Sequence, residues 1–201
     1  LRFTNRPIED LYCQAIVIFS FSINTGLSNV LKNIDRKMTG GVSNIVKAGI
    51  WSGECGEKLL FATQEAIKAD KLLIYGLGDE SGYSAEVLKR EVYALGAALV
   101  KMGINEFVFY LPVSGRFEHG YLMHLETAIK TLANIYLSKY KDVPDSMLKM
   151  YISVDRGFLD SSEHISGSLR ELYSPVSDFT VIPDKYAWLT DAEKDETRIN
   201  I

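Results

Sequence analysis

Residues 71–112 read KLLIYGLGDESGYSAEVLKREVYALGAALVKMGINEFVFYLP. The stretch opens on an apolar run at 71–75 and breaks at Gly76 and Gly78. Leu88, Val92, Leu95, Leu99 and Met102 then recur at steps of three and four, which puts them on one stripe of a helix. Ser84 stands just ahead as an N-cap, because its hydroxyl can accept from the free amides of a first turn. Gly103 closes the helix, and the run EFVFYL at 106–111 returns to a strand that Pro112 ends. Strand, glycine turn, helix and strand make a βαβ unit with parallel strands and a right-handed crossover.

The same alternation extends in both directions. QAIVIFSFSI at 14–23 reads as a buried strand, and residues 1–7 as a shorter, edge-like strand before it. Leu27, Val30, Leu31, Ile34 and Met38 keep helical spacing until Gly40 and Gly41 stop it, and residues 42–48 fit one or two further turns. KLLFAT at 58–63 is a strand, and Leu122, Leu125, Ile129, Leu132 and Tyr136 mark a second long helix. Residues 148–154 read as a strand. Ser161 or Ser162 caps a helix carrying Ile165, Leu169 and Leu172, and 179–182 form a last short strand. Strands alternating with amphipathic helices predict a layered α/β sheet covered by helices. Residues 1–189 are expected to be one domain and 190–201 a charged, flexible tail, with 139–146 either a surface loop or an internal boundary.

Of the 201 residues, 47% are hydrophobic, enough for a sizeable core, and the net charge is −4. An acidic chain without a basic block argues against nucleic acid as a partner, since such binding rests on neutralising phosphates. No apolar run approaches the roughly 20 residues that span a bilayer, so no membrane partner is expected. No signal peptide is visible, although the chain begins at Leu1 and not at Met. Cys13 and Cys55 belong to no CxxC pair and are read as reduced, buried thiols of a cytoplasmic protein.

Chemistry-bearing patterns are sparse. Gly76 and Gly78, ahead of a helix N-terminus, would let a phosphate approach the backbone, or would simply pack a turn. Ser81 stands where GxGxxG needs its last glycine, and Asp79 and Glu80 would repel an anion. GGVSNIVKAGIWSGECGEKLLF, residues 40–61, poses the same choice between a ligand and a packed turn. Glu54 and Glu57 are the acids of that stretch, but no His or Asp stands near them, so no metal is expected. Cys55 has no activating partner in the sequence. His119 and His124 lie five apart, about 140° around a helix, and read as surface or packing residues, while His164 stands alone. Ser114 lacks the frame of a nucleophile elbow. Asp155 and Arg156, after a strand, fit either a site or a loop ion pair.

Residues 40–61 followed by ADKLLIYGLGDES resemble the amino-terminal domain of leucyl aminopeptidases of the M17 type. The family pattern falls on Gly49, Trp51, Gly53, Gly56, Glu57, Gly76, Leu77 and Gly78. Ile50 intervenes before Trp51, and Glu54 stands in place of the usual lysine. LETAIKTLANIYLSKYK, at 125–141, is similar to a later helix of the same domain. The resemblance covers residues 1–155.

This resemblance implies a macro-domain-like fold, a three-layer α/β/α sandwich with a mostly parallel mixed sheet, and an oligomer-forming, non-catalytic module. The family's two-metal active site lies in a separate carboxyl-terminal domain, and its lysine and carboxylate ligands have no counterpart here. The resulting expectation is a stand-alone domain acting in homo-oligomer assembly, regulation or ligand binding, with no catalytic residue, no metal and no cofactor. Residues 156–201 do not resemble the start of the catalytic domain, which favours a naturally short protein. An alternative expectation is a macro-like binder, or hydrolase, of ADP-ribose or another nucleotide, its ligand residues Gly40, Gly41, Gly76, Gly78 and Ser84. A DNA-associated regulator is a further alternative, since some members of the resembled family bind DNA.

Overall fold

The computed structural model describes residues 1–23, 26–113, 118–141, 143, 147–175, 178 and 180–184. Seven strands and six α-helices are described. The strands are β1 (Arg2–Thr4), β2 (Cys13–Ser20), β3 (Lys58–Ala62), β4 (Ala69–Gly76), β5 (Glu106–Tyr110), β6 (Lys149–Ser153) and β7 (Ile182–Asp184). The helices are α1 (Asn29–Lys37), α2 (Gly41–Lys47), α3 (Ala85–Lys101), α4 (Tyr121–Tyr140), α5 (Arg156–Leu159) and α6 (Ser162–Tyr173). The strands form one sheet in the order β3-β4-β2-β5-β6-β1-β7. β3 runs antiparallel to β4 and every other pairing is parallel, so the sheet is mixed and mostly parallel.

Side chains alternate across the sheet and build two cores. Ala15, Val17, Phe19, Leu73, Tyr75, Phe107 and Phe109 face one side, where Leu88, Val92, Leu95 and Leu99 of α3 and Leu125, Ile129 and Leu132 of α4 cover them. Ile16, Ile18, Leu72, Ile74 and Val108 face the other, beneath Leu31 and Ile34 of α1, Val42 of α2 and Trp51. The result is the three-layer, macro-domain-like sandwich. α3 and α4 pack so closely that a Cβ on Gly96 would lie 2.5 Å from Ile135 Cδ1.

Several details differ from the sequence reading. β1 is not an edge: β6 pairs with it on one side and β7 on the other. Met102 is 36% exposed, because α3 ends at Lys101 and Met102 is its C-cap. Leu172 is 50% exposed, so the buried stripe of α6 ends on Leu169 and Tyr173 instead. The last strand is Ile182–Asp184, and residue 179 of the expected 179–182 lies outside the described residues. Ser161 occupies the N-cap of α6 without a side-chain bond, and Ser162 turns its hydroxyl back to the Leu159 carbonyl. Cys55 is exposed, not buried, because the turn that carries it lies at the surface, and Cys13 is half-buried. Ser114 and the expected tail at 190–201 lie outside the described residues.

Candidate functional site

Parallel strands bring their carboxyl ends to one edge of the sheet, and three loops meet there. The Leu77 amide donates to the Ser20 carbonyl (2.8 Å), the Ser22 amide to the Gly78 carbonyl (2.8 Å) and the Ile23 amide to the Ser52 carbonyl (2.9 Å). The Gly78 amide donates to the Gly53 carbonyl and the Gly76 amide to the Glu57 carbonyl, both at 2.9 Å. Segments 20–23, 52–57 and 76–78 are thus laced by backbone bonds at van der Waals range. A Cβ on Gly76 would lie 2.1 Å from the Glu54 carbonyl oxygen, and Gly53 combines φ +82° with a Cβ position 2.8 Å from the Phe21 carbonyl oxygen. Only glycine fits either place.

One carboxylate organises the middle segment. Glu57 Oε2 accepts from the amides of Ser52 (2.8 Å), Gly53 (2.9 Å) and Glu54 (3.1 Å) and from the Ser52 hydroxyl (3.1 Å). The Ser52 amide is the foremost cause holding the Glu57 carboxyl below its ordinary range. Beside it, the Arg90 guanidinium donates to Cys55 Sγ at 2.9 Å and to Glu91 Oε1 at 2.9 Å. Partial desolvation of the exposed Cys55 thiol nevertheless pushes its pKa up, with Glu91 adding to the shift and Arg90 opposing it.

The predicted ligand residues fall in two places. Gly40 and Gly41 form the joint between α1 and α2, on the opposite face from the helix that Ser84 opens. The Gly40 amide donates to the Asp35 carbonyl (2.8 Å) and the Gly41 amide to the Met38 carbonyl (3.1 Å). All four glycine amides named at the sequence level therefore have partners within the chain. Ser84 accepts from the Val87 amide at 3.3 Å, as an N-cap should.

Beyond the strand ends lies a group of rings that sequence spacing did not join. Phe21 meets Tyr83 edge-on at 5.2 Å, and Tyr83 meets His124 at 5.3 Å. The Tyr83 hydroxyl lies 3.2 Å from His124 Nδ1, both residues being buried. Burial lowers the His124 pKa and raises that of Tyr83 to about 12. Tyr110 is likewise pushed up to about 12, first by burial and then by the charge of Asp155. These phenols stay neutral near pH 7 and can donate hydrogen bonds. Asp155 begins α5 without a side-chain cap bond, and His119 and His164 are exposed. Among the described residues no group of three or more His, Cys, Asp or Glu could hold a metal ion. Nor is any described helix long and apolar enough to cross a membrane.

Topology adds one more element. The chain leaves β2 toward β4 across the α1–α2 face and leaves its neighbour β5 toward β6 across the α4 face. Such a reversal opens the crevice where open α/β sheets take ligands. Phe21 and Leu111 follow the two strands at this place. At the opposite end of the strands, a cavity of about 870 Å³ is lined by Arg2, Asn105, Tyr136, Tyr140, Tyr151 and Tyr173 among others.

Sheet order, layers and strand-end junction together define an α/β protein of the macro-domain type. More narrowly, the chain belongs to the cytosol aminopeptidase family through its N-terminal domain, whose family model matches residues 17–142, more than half of the chain. A probable cytosol aminopeptidase of a Sulfurihydrogenibium species is 30% identical over 90 residues, 45% of this chain and 18% of that protein. The chain thus spans under a fifth of the length of this relative. A mutant tomato leucine aminopeptidase aligns with a TM-score of 0.60 at 12% identity, over 76% of this chain and 32% of its own. A Trypanosoma brucei macrodomain, solved in complex with ADP-ribose, aligns with a TM-score of 0.56 at 15% identity, over 83% of this chain and 68% of its own. At these identities the two structural likenesses speak for the fold alone.

Proposed function

We propose that the chain serves as a non-catalytic module of the cytosol aminopeptidase family, acting in the cytosol through assembly with copies of itself. The observation that carries this reading is the match to the family's N-terminal domain over residues 17–142. The glycine corner supports it, because its amides are engaged within the chain and its close approaches suit a rigid scaffold. Purified protein should release no leucine from a leucyl peptide, with or without added manganese or zinc. Release that stops on adding a chelator would overturn the non-catalytic part, and a monomer at every accessible concentration would overturn the assembly part.

A second reading is favoured by the macrodomain fold and the reversal of chain direction between β2 and β5, the place where open α/β sheets take ligands. In it the protein binds ADP-ribose or a similar nucleotide there, with Gly76, Gly78 and Ser84 near the phosphates and Gly40 and Gly41 shaping a more distant joint. Calorimetric titration with ADP-ribose tests it. Absence of heat at millimolar ligand removes it, and saturable binding displaces the purely structural account of the glycines.

A further inference from the structure

β3 is the outermost strand at one end of the sheet. Its register with β4 decides which of its backbone groups look outward. The Thr63 amide donates to the Asp70 carbonyl (3.1 Å) and the Gly76 amide to the Glu57 carbonyl (2.9 Å). Both pairs continue the register in which Leu59 faces Ile74 and Phe61 faces Leu72. Bonded and non-bonded pairs alternate along an antiparallel ladder. Leu59 and Phe61 therefore direct their backbone groups to β4, as do the Glu57 carbonyl and the Thr63 amide, while Lys58, Leu60 and Ala62 turn theirs away from the sheet. Among the described residues no backbone bond from any loop or turn reaches those three.

Natural edges are usually guarded by a projecting charge, a proline or a bulge. β3 has no proline. Its one lysine is drawn back over the sheet, with Lys58 Nζ 5.4 Å from the centre of the Tyr75 ring. At the middle of the strand Leu60 is 59% exposed, a large apolar side chain on an open edge.

We propose that β3 pairs antiparallel with β3 of a second copy, with Leu60 on the two-fold axis, so that the two seven-stranded sheets become one. The outward groups sit at alternate positions symmetric about Leu60, which is what a self-complementary two-fold contact requires. Leu60 then lies opposite Leu60 of the second copy, and Lys58 opposite its Ala62. Four residues of strand rise separate the two Lys58 side chains by about 13 Å, beyond a Debye length of about 8 Å at physiological salt. Parallel pairing would instead set lysine against lysine. The inference rests on the self-association proposed above and names its surface.

Sedimentation equilibrium from micromolar to submillimolar protein, with amide exchange measured at both extremes, tests it. A concentration-dependent dimer is expected, with exchange at Lys58, Leu60 and Ala62 slowing as it forms. Leu60→Lys places two ammonium groups at the axis and should weaken the dimer about tenfold or more. Ala62→Pro removes an outward N–H without touching the β4 ladder, and serves if Leu60→Lys fails to fold. Circular dichroism should be unchanged in the variant used. A dimer that survives both substitutions, its three edge amides exchanging freely, overturns the edge pairing and leaves self-association standing. A monomer throughout overturns both.

Discussion

Gly76 and Gly82 stand six residues apart and differ in every respect that matters to a side chain. A Cβ at Gly76 would meet the Glu54 carbonyl oxygen at 2.1 Å, whereas one at Gly82 would meet nothing within 4 Å. Gly76→Ala must push two backbone segments apart and is expected to cost about 3 kcal/mol or more. Gly82→Ala should stay within about 0.5 kcal/mol of the parent. Urea unfolding of the pair measures both, and equal midpoints would refute the packing account of the corner. The strand-turn-helix break at 76–78 singled out Gly76 and Gly78 in the sequence, but not the backbone that packs against them. Those packing contacts join residues more than twenty positions apart, and no local pattern carries them. The role of Glu57 was closer to hand. An acid just after Ser52, Gly53 and Glu54 is placed to gather their amides, and that spacing was the available signal.

At the scale of elements, helix stripes were readable where they were long. Leu88, Val92, Leu95 and Leu99 are fully buried, as their spacing predicts. The failures fall at element ends. Met102 follows the last turn of α3, and Leu172 turns partly to solvent while its neighbour Tyr173 takes the buried place. α2 shows a dependence that periodicity does not contain. Its N-cap is Gly40 in the left-handed region (φ +83°), which brings no capping side chain. Asp35, from the preceding helix, supplies the cap: its Oδ1 accepts from the amides of Val42 (2.8 Å) and Ser43 (3.0 Å), and its Oδ2 from the Ser43 hydroxyl. Asp35→Ala leaves the buried Val42 amide and the half-buried Ser43 donors without this acceptor and should cost about 2 kcal/mol. Amide exchange in α2 should quicken more than in α3. Uniform loosening of both helices would count against a capping role.

Across the whole molecule, the mixed α/β architecture was legible because each βαβ unit carries its own strand and helix periods. The order of the strands was not, since β1 and β7 are too short to announce their neighbours. Stability should also carry a pH signature from the buried Tyr83–His124 pair. Burial lowers the His124 pKa in the fold below its ordinary value near 6.5. The unfolded chain therefore binds the proton first, and stability from this residue, complete above about pH 6.5, is lost as pH falls through the folded value. In His124→Gln the slope of stability between about pH 7 and pH 5 should flatten. An unchanged slope would assign the acid sensitivity to other groups.

β1, held between β6 and β7, has a consequence for how the molecule is made. Arg2–Thr4 leaves the ribosome well before Lys149–Ser153 and Ile182–Asp184 exist to receive it. The opening residues must wait through nearly the entire translation of this domain before their sheet positions close. A nascent chain halted near residue 140 would hold the β2–β4–β5 centre while its first strand stays unpaired and within reach of a chaperone or protease.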